Sequence, residues 1–573
     1  MKKVFSFLNA YKKEAVLAPL FKLLEVCFEL AVPLVVASIV DNGIGKGDNG
    51  HILVMFALLI GLGLVGLLSA VTAQYFAAKA AVGYSTKLRH ALFQKMQSLS
   101  FAEVDKLGAA TMISRMTGDV NQVQTGVNMV LRLVLRSPFV VFGAMIMAFT
   151  VDVQAGGVFA VTVPVLALVI LIIMAITIPL YKKAQEKQDS ILLSTRENLT
   201  GARVLRAFCK EEEEIAAFDK KNTTHARSQN VVGAISALMN PLTYVVVNAG
   251  IIALLYVGAI RVDTGVLTQG QVLALYNYMS QILIELIKLA NLIITVTKAL
   301  ACANRIESVF ALNNPLQTST DTTVYTDNAV DFQNVSFSYN GGGNALENIT
   351  FSVKKGETVG VIGGTGSGKS SLVNLISHFY DATQGKVLVN GVDVKAQNTE
   401  ALREKVGVVL QKAVLFKGTV RENLLWGNKT ATDEQIMQAV TLAQAADVVM
   451  AKGGLDGMIE QKGRNLSGGQ RQRLSIARAL IKKPEILILD DSASALDYAT
   501  DAALRKAIQN MQEKPTTFIV SQRTSSLQHA DKIIVLDEGK MINIGTHEEL
   551  LKTSEIYREI YESQFKEATH AQE

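Results

Sequence analysis

Cysteine is almost missing from this chain: Cys27, Cys209 and Cys302 are the only three in 573 residues, and no CxxC pair occurs. That excludes a disulfide framework and a cysteine-built zinc site, and it predicts three buried thiols without a chemical role. Charge is also scarce. Asp, Glu, Lys and Arg make up 19% of the chain, below the roughly 25% of an ordinary soluble protein. Hydrophobic residues reach 49%, which excludes a disordered chain and argues against a wholly water-soluble one. The net charge of +5 is small for this length, so nucleic acid is not an expected partner.

Charge is absent altogether from Ile52–Ala78, Ala155–Tyr181 and Ala234–Ile260, each 27 residues long. As helices such runs reach about 40 Å, enough for a hydrocarbon core of roughly 30 Å. Ala15–Val40, Leu131–Thr150 and Gly270–Thr297 add three spans that carry a few charges. Six spans, at about 15–40, 52–78, 131–150, 155–181, 234–260 and 270–297, predict a helical membrane domain over residues 1–310, set in a lipid bilayer. The short connections Asp41–His51, Val151–Gln154 and Arg261–Gly270 hold only Lys46 and Arg261 as basic residues. Lysines and arginines instead cluster before the first span and after the second and fourth: Lys2, Lys3, Lys12, Lys13, Lys79, Lys87, Arg89, Lys182, Lys183 and Lys187. The positive-inside rule then puts both termini in the cytoplasm of a multi-pass cell-membrane protein, expected to be bacterial. No cleavable leader is expected, because the first apolar segment runs on without an A-x-A-like site. Met1–Tyr11, with apolar residues beside lysines, reads as a membrane-surface segment or a plain cytosolic leader.

Two long connections, Lys79–Gly126 and Lys182–Val231, contain few helix breakers and read as helices that leave the membrane and turn at short crossing segments. The turns are expected near Gly108–Asp119 and Glu197–Phe208. Taken alone these are solvated helical hairpins. Beyond the sixth span, residues 311–328 read as a linker, and Asn313–Asp327 is rich in Thr, Asn and Asp. From 329 to 573 short apolar strands alternate with helical stretches, including Val359–Gly363, Val406–Leu410, Ile486–Asp490 and Thr517–Ser521. That is the pattern of an α/β domain.

Its chemistry begins where a strand runs into Gly363-Gly364-Thr365-Gly366-Ser367-Gly368-Lys369-Ser370-Ser371 and then a helix. This is a phosphate-binding loop in its required setting: glycines let successive N–H groups turn inward, and the helix adds its positive end. Lys369 is placed to reach the β- and γ-phosphates, and Ser370 a Mg²⁺ ion. The apolar run Ile486–Leu489 ends in Asp490 and Asp491, a buried strand that delivers Asp490 to the metal. Between them, Leu466-Ser467-Gly468-Gly469-Gln470 offers a hydroxyl and uncovered N–H groups ahead of a helix, a second anion nest. One chain has one phosphate loop for its own ATP, so the second nest serves a nucleotide presented by another domain.

At these residues the chain resembles the ATP-binding cassette (ABC) transporters, in particular exporters whose membrane spans are fused ahead of the cassette. GGTGSGKS, Gln411 in VGVVLQ, LSGGQ, LILDD and Ser494-Ala-Leu-Asp497 follow in that family's order. The resemblance implies a six-helix membrane domain with long cytoplasmic extensions joined to an α/β P-loop ATPase. It implies that two cassettes close head to tail around two ATP molecules. It also makes Tyr339 the aromatic that stacks on adenine, and Gln411 the glutamine that meets Mg²⁺ and links to the membrane helices. Segments near Thr111–Asp119 and Leu199–Arg206 look like the family's coupling helices.

Two residues depart from the family pattern. The hydrolytic Glu is replaced by Asp491, one methylene shorter, and the switch His by Gln522, which cannot exchange a proton near neutral pH. Together they imply a site that binds ATP but hydrolyses it weakly. The chain then resembles the degenerate-site subunit of bacterial heterodimeric multidrug exporters, which lends LSGGQ to a partner carrying the consensus Glu and His. The substrate implied is a hydrophobic or amphipathic small molecule. A lipid or peptide exporter, or an ATP-gated regulatory or channel-like member, would share the same cassette residues. Glu25, Glu29 and Glu285 inside the spans form a candidate substrate path for cations; the plainer reading pairs Lys22 with Glu25 and Glu285 with Lys288.

Overall fold

The computed structural model describes residues 2–312, 326–339 and 341–570; most of the expected linker at 311–328 lies outside the described residues. Contacts divide the chain into two units, Met1–Gln97 with Ala110–Ala311, and Ser98–Ala109 with Leu312–Glu573.

The first unit holds six helices long and apolar enough to cross a membrane, among the described residues. They overrun the apolar segments. Asn49–Gln97 spans 49 residues and Val153–Thr200 spans 48, lengths of about 70 Å against a hydrocarbon core of roughly 30 Å. No proline interrupts the first of these, so the helix carries on past Lys79 as a polar extension. The second starts where the Asp152 carboxylate accepts the Ala155 N–H at 2.8 Å, an N-cap. Close crossings are made by small residues: a Cβ at Gly250 would lie 2.7 Å from Thr162 Cγ2, and one at Gly126 would lie 2.3 Å from Ala299 Cβ. Leu53, Phe56, Leu64, Leu67 and Leu68 point outward and are exposed, as side chains facing lipid are.

One sequence expectation is corrected in this unit, and one open segment gains a packing partner. The N-terminal segment packs against protein: Val4 is fully buried in a cluster with Ile306 and Phe310, and the Lys3 ammonium lies 5.2 Å from the Phe310 ring centre. Of the three thiols only Cys302 is buried; Cys27 and Cys209 are exposed. Cys209 sits at a turn with φ 52°, just before the helix Glu211–Ala237.

The second unit is built on a six-stranded sheet in the order Lys540–Gly545, Lys532–Asp537, Thr358–Gly363, Thr516–Val520, Ile486–Asp490 and Val406–Val409. All neighbours are parallel except the outermost Lys540–Gly545. The three central strands are buried at every residue, which is why their sequences read as unbroken apolar runs. A second sheet, led by the antiparallel pair Asn328–Ser338 and Asn344–Lys354, packs its Phe332 and Phe351 into the core beneath.

The first crossing segment is also corrected. The short helix that belongs to the ABC unit is Phe101–Leu107, upstream of the expected Thr111–Asp119. The physical reason is aromatic. Phe101 stacks on Phe379 with ring centres 4.3 Å apart, the Arg403 guanidinium lies over both rings, and Tyr380 donates a 2.6 Å hydrogen bond to Asp105. Thr111–Asp119 instead continues into the membrane unit through a π-helical turn, Arg115–Asp119. The second crossing falls where the sequence puts it: Val153–Thr200 ends, Gly201 follows, and Ala202–Ala207 forms a separate short helix.

Phe101→Ala removes the stack on Phe379 and is expected to free this segment without unfolding the ABC unit. Tryptic cleavage after Lys106, followed by mass spectrometry, should then accelerate by roughly fivefold for each ~1 kcal/mol of docking lost. An unchanged cleavage rate would show that the stack does not hold it.

Candidate functional site

The strand Thr358–Gly363 delivers the chain into the phosphate loop, and the helix Lys369–Ile376 leads out of it. Gly364, Thr365 and Gly366 form the exposed apex, whereas Ser367 is buried beneath them. Gly368 has φ 94°, and a Cβ there would sit 2.5 Å from the Ala345 carbonyl oxygen, so only glycine fits. The Lys369 ammonium donates to the carbonyl oxygens of Gly363 at 2.9 Å and Gly364 at 2.6 Å. Burial holds its pKa below the usual lysine range, a cost that an anionic phosphate beside it offsets.

The neighbouring strand ends at Asp490, which is buried and accepts a 3.0 Å hydrogen bond from the Ser370 hydroxyl. Burial pushes its carboxyl above the ordinary aspartate range, with the charge of Asp491 adding to the shift. A divalent cation held between Ser370 and Asp490 reverses that penalty, so the donor set fits Mg²⁺. Asp491 adopts φ 46° and its N–H donates to the Val520 carbonyl oxygen at 3.0 Å. Its carboxylate accepts from the Gln411 amide at 3.2 Å. Gln411 and Asp491 therefore meet across the same strand edge as Ser370 and Asp490. Gln522 follows the strand Thr516–Val520 and is exposed.

Tyr339 lies at the end of Asn328–Ser338, half exposed, with its hydroxyl 2.9 Å from Ser371 Oγ. Its ring meets Phe337 and Tyr380 edge-on, at 4.6 and 5.2 Å between centres. The face left open is available to a flat ring.

The Leu466–Gln470 segment is divided by role. Leu466 is buried as an anchor, while Ser467 and Gly468 are exposed at the start of the helix Gly468–Ile481. Ser467 accepts from the Gln470 N–H at 3.2 Å, and Gln470 accepts from the Ser467 N–H at 2.9 Å. This capping box orients the turn and leaves the N–H of Gly468 and Gly469 free of intrahelical partners. Gly469 is needed for packing, since a Cβ there would lie 2.8 Å from the Ala495 carbonyl oxygen.

In the membrane unit the structure brings Glu25, Glu29 and Glu285 together, around a residue that sequence reasoning passed over. Arg136 donates to Glu25 at 2.7 Å, to Glu29 at 2.9 Å and to Glu285 at 3.3 Å. Lys22 pairs with Glu25, Lys288 pairs with Glu285, and the Ser137 hydroxyl completes the shell of Glu285 at 3.0 Å. The signal was present in part: Arg132 and Arg136 are the two arginines of an otherwise apolar span.

Residues 16–286 match the family described as "ABC transporter transmembrane region", and residues 346–494 match "ABC transporter". The chain is 35% identical to "Uncharacterized ABC transporter ATP-binding protein YfiB" of Bacillus subtilis (strain 168), covering 99% of each. It is 31% identical to "Putative multidrug export ATP-binding/permease protein YgaD" of the same organism, covering 99% of this chain and 98% of that protein. A solved bacterial Atm1-family ABC exporter with ATP bound superposes with a TM-score of 0.83 at 23% identity, over 96% of this chain and 98% of that one. Six apolar helices joined to a phosphate-loop ATPase, and relatives matched from end to end, make this chain a member of the ABC transporter family, a half-transporter of the exporter type.

Proposed function

We propose that this chain is the degenerate-site half of a heterodimeric efflux pump, in which it holds Mg²⁺-ATP and lends its LSGGQ to a hydrolytic site on the partner. The observation that carries the reading is the pair Asp491 and Gln522. Asp491 is too short by one methylene, its carboxylate accepts from Gln411, and its backbone is tied to Val520. A misplacement of about 1 Å in such a group costs on the order of a hundredfold in rate. Gln522 can hydrogen-bond a phosphate but carries no proton to exchange. Binding residues show no such change: Lys369, Ser370 and Asp490 match the family pattern for holding ATP and Mg²⁺.

Within the pair, Tyr339 stacks on the adenine of this chain's ATP, and Lys369 and the loop N–H groups hold its phosphates. The exposed Ser467 and Gly468 face the partner's nucleotide. The short helix Ala202–Ala207, with Val204 and Phe208 exposed, is a docking element for a cassette. Both termini and the ABC domain are cytoplasmic. The cargo is a hydrophobic or amphipathic small molecule, as the printed name of the relative YgaD suggests for that protein. Charge does not select it at Arg136. Glu25, Glu29 and Glu285 are matched there by Lys22, Arg136 and Lys288, so the cluster serves helix packing rather than cation attraction.

Three outcomes follow for the full-length chain in lipid nanodiscs. Purified alone it should bind ATP and release phosphate near background, and in the pair reconstituted with its partner Asp491→Glu with Gln522→His should raise release above that of the unaltered pair. Brisk turnover by the unaltered chain, or a native complex of two identical copies on mass spectrometry, defeats the reading. Lys369→Ala should weaken ATP binding by at least roughly tenfold in a fluorescence titration. Arg136→Met leaves Glu29 unpaired and takes one of their two cations from Glu25 and Glu285, and should cost about 3 kcal/mol in thermal or denaturant unfolding, partly restored by adding Glu29→Gln.

A further inference from the structure

Gln522 is held in place by its backbone. The Gln564 side-chain amide donates through Nε2 to the Gln522 carbonyl oxygen at 2.7 Å. Its Oε1 accepts from the Thr524 N–H at 2.9 Å and from the Thr524 hydroxyl at 3.0 Å. One amide therefore satisfies main-chain groups on both sides of Arg523. Gln564 rides on the helix Glu555–His570, and that helix is itself fixed. Tyr557 is fully buried with its hydroxyl 2.7 Å from His547 Nδ1, while Ile556 and Ile560 pack on the same core.

Arg523, between Gln522 and Thr524, is held by its own side chain. The Arg523 guanidinium donates to the carbonyl oxygens of Leu496 at 3.2 Å and Ala493 at 3.4 Å, and lies 4.9 Å from the centre of the Tyr498 ring. Two residues beyond Thr524, the Ser526 hydroxyl donates to the buried Asp501 carboxylate at 3.0 Å. A segment leaving a strand edge would ordinarily fray, because its N–H and C=O groups have water as a ready partner. Here the backbone at Gln522 and Thr524 has a protein partner, and only the Gln522 side chain is left exposed to act.

We propose that Gln564 is a positioning residue for nucleotide discrimination: by clamping the backbone around Arg523 it fixes how far Gln522 reaches toward the terminal phosphate, and so sets the preference for a triphosphate over a diphosphate. The inference rests on the reading of Gln522 as the phosphate-sensing switch, and it does not require this site to hydrolyse ATP. The C-terminal helix thereby becomes part of the nucleotide site without touching nucleotide. Glutamine is specific to the task. Glutamate keeps the acceptor for Thr524 but sets a carboxylate oxygen against the Gln522 carbonyl. Methionine keeps the volume and loses all three hydrogen bonds.

The test compares affinities of the full-length chain in nanodiscs for β,γ-imido-ATP and for ADP, both with Mg²⁺. Gln564→Met is expected to lower the ratio of analogue to ADP affinity roughly tenfold, with ADP binding changed by less than about twofold. Gln564→Glu should lower the same ratio, and it supplies the reading if the methionine variant does not fold. In a Gln522→Ala background, Gln564→Met should change the ratio no further. An unchanged ratio, an equal loss of both nucleotides, or a full additional loss in the Gln522→Ala background overturns the proposal. The analogue cannot be turned over, so phosphate release, which decides the degenerate-site reading, stays a separate measurement.

Discussion

Three buried parallel strands ending at one edge are the constraint on which the nucleotide chemistry depends. Thr358–Gly363, Thr516–Val520 and Ile486–Asp490 lie side by side, with Val520 paired to both Val361 and Asp490. That register delivers the loop around Lys369, the Asp490 carboxylate and the segment at Gln522 to the same rim, where ligands of open α/β sheets bind. Because the strands are buried on both faces, a slip of one residue would require the close-packed core on both sides to be rebuilt. The positions of Lys369, Asp490 and Gln522 are therefore set by core packing rather than by each other.

The membrane unit solves a different problem with the same economy. Charged groups inside the spans are expensive, and here they are gathered about one guanidinium with a hydroxyl completing the shell. Arg136 joins the helices that carry Glu25 and Glu285, so a group that is costly alone becomes a cross-link between three spans. Elsewhere the bundle relies on close approach through Gly126 and Gly250, where any side chain would collide.

Much of this was legible in the sequence, and the reasons are local. Runs without charge mark spans, and the loop around Lys369, the strand ending at Asp490 and the turn at Ser467 each carry a fixed spacing. The first crossing was misplaced by about ten residues because GAATMISRMTGD looks like a break. What decides the matter is the long-range stack of Phe101 on Phe379, which no local pattern reveals. Arg136 was legible as a charge inside a span but not as a hub, since its partners lie more than a hundred residues away. Gln564 carried no signal at all: a single glutamine near the end of a helix gains meaning only from the loop it happens to face.

The docking of Phe101–Leu107 means that the ABC unit is not one continuous stretch of polypeptide. The chain visits it twice, first for about a dozen residues and again after the sixth span. Severing the protein at residue 329 would yield a cassette whose Phe379 and Tyr380 are stripped of their cover, an aromatic patch bare to water beside Tyr339. Solubility and nucleotide binding of such a fragment would report on that wound as much as on the native site, whereas a chain carrying both visits keeps the surface intact.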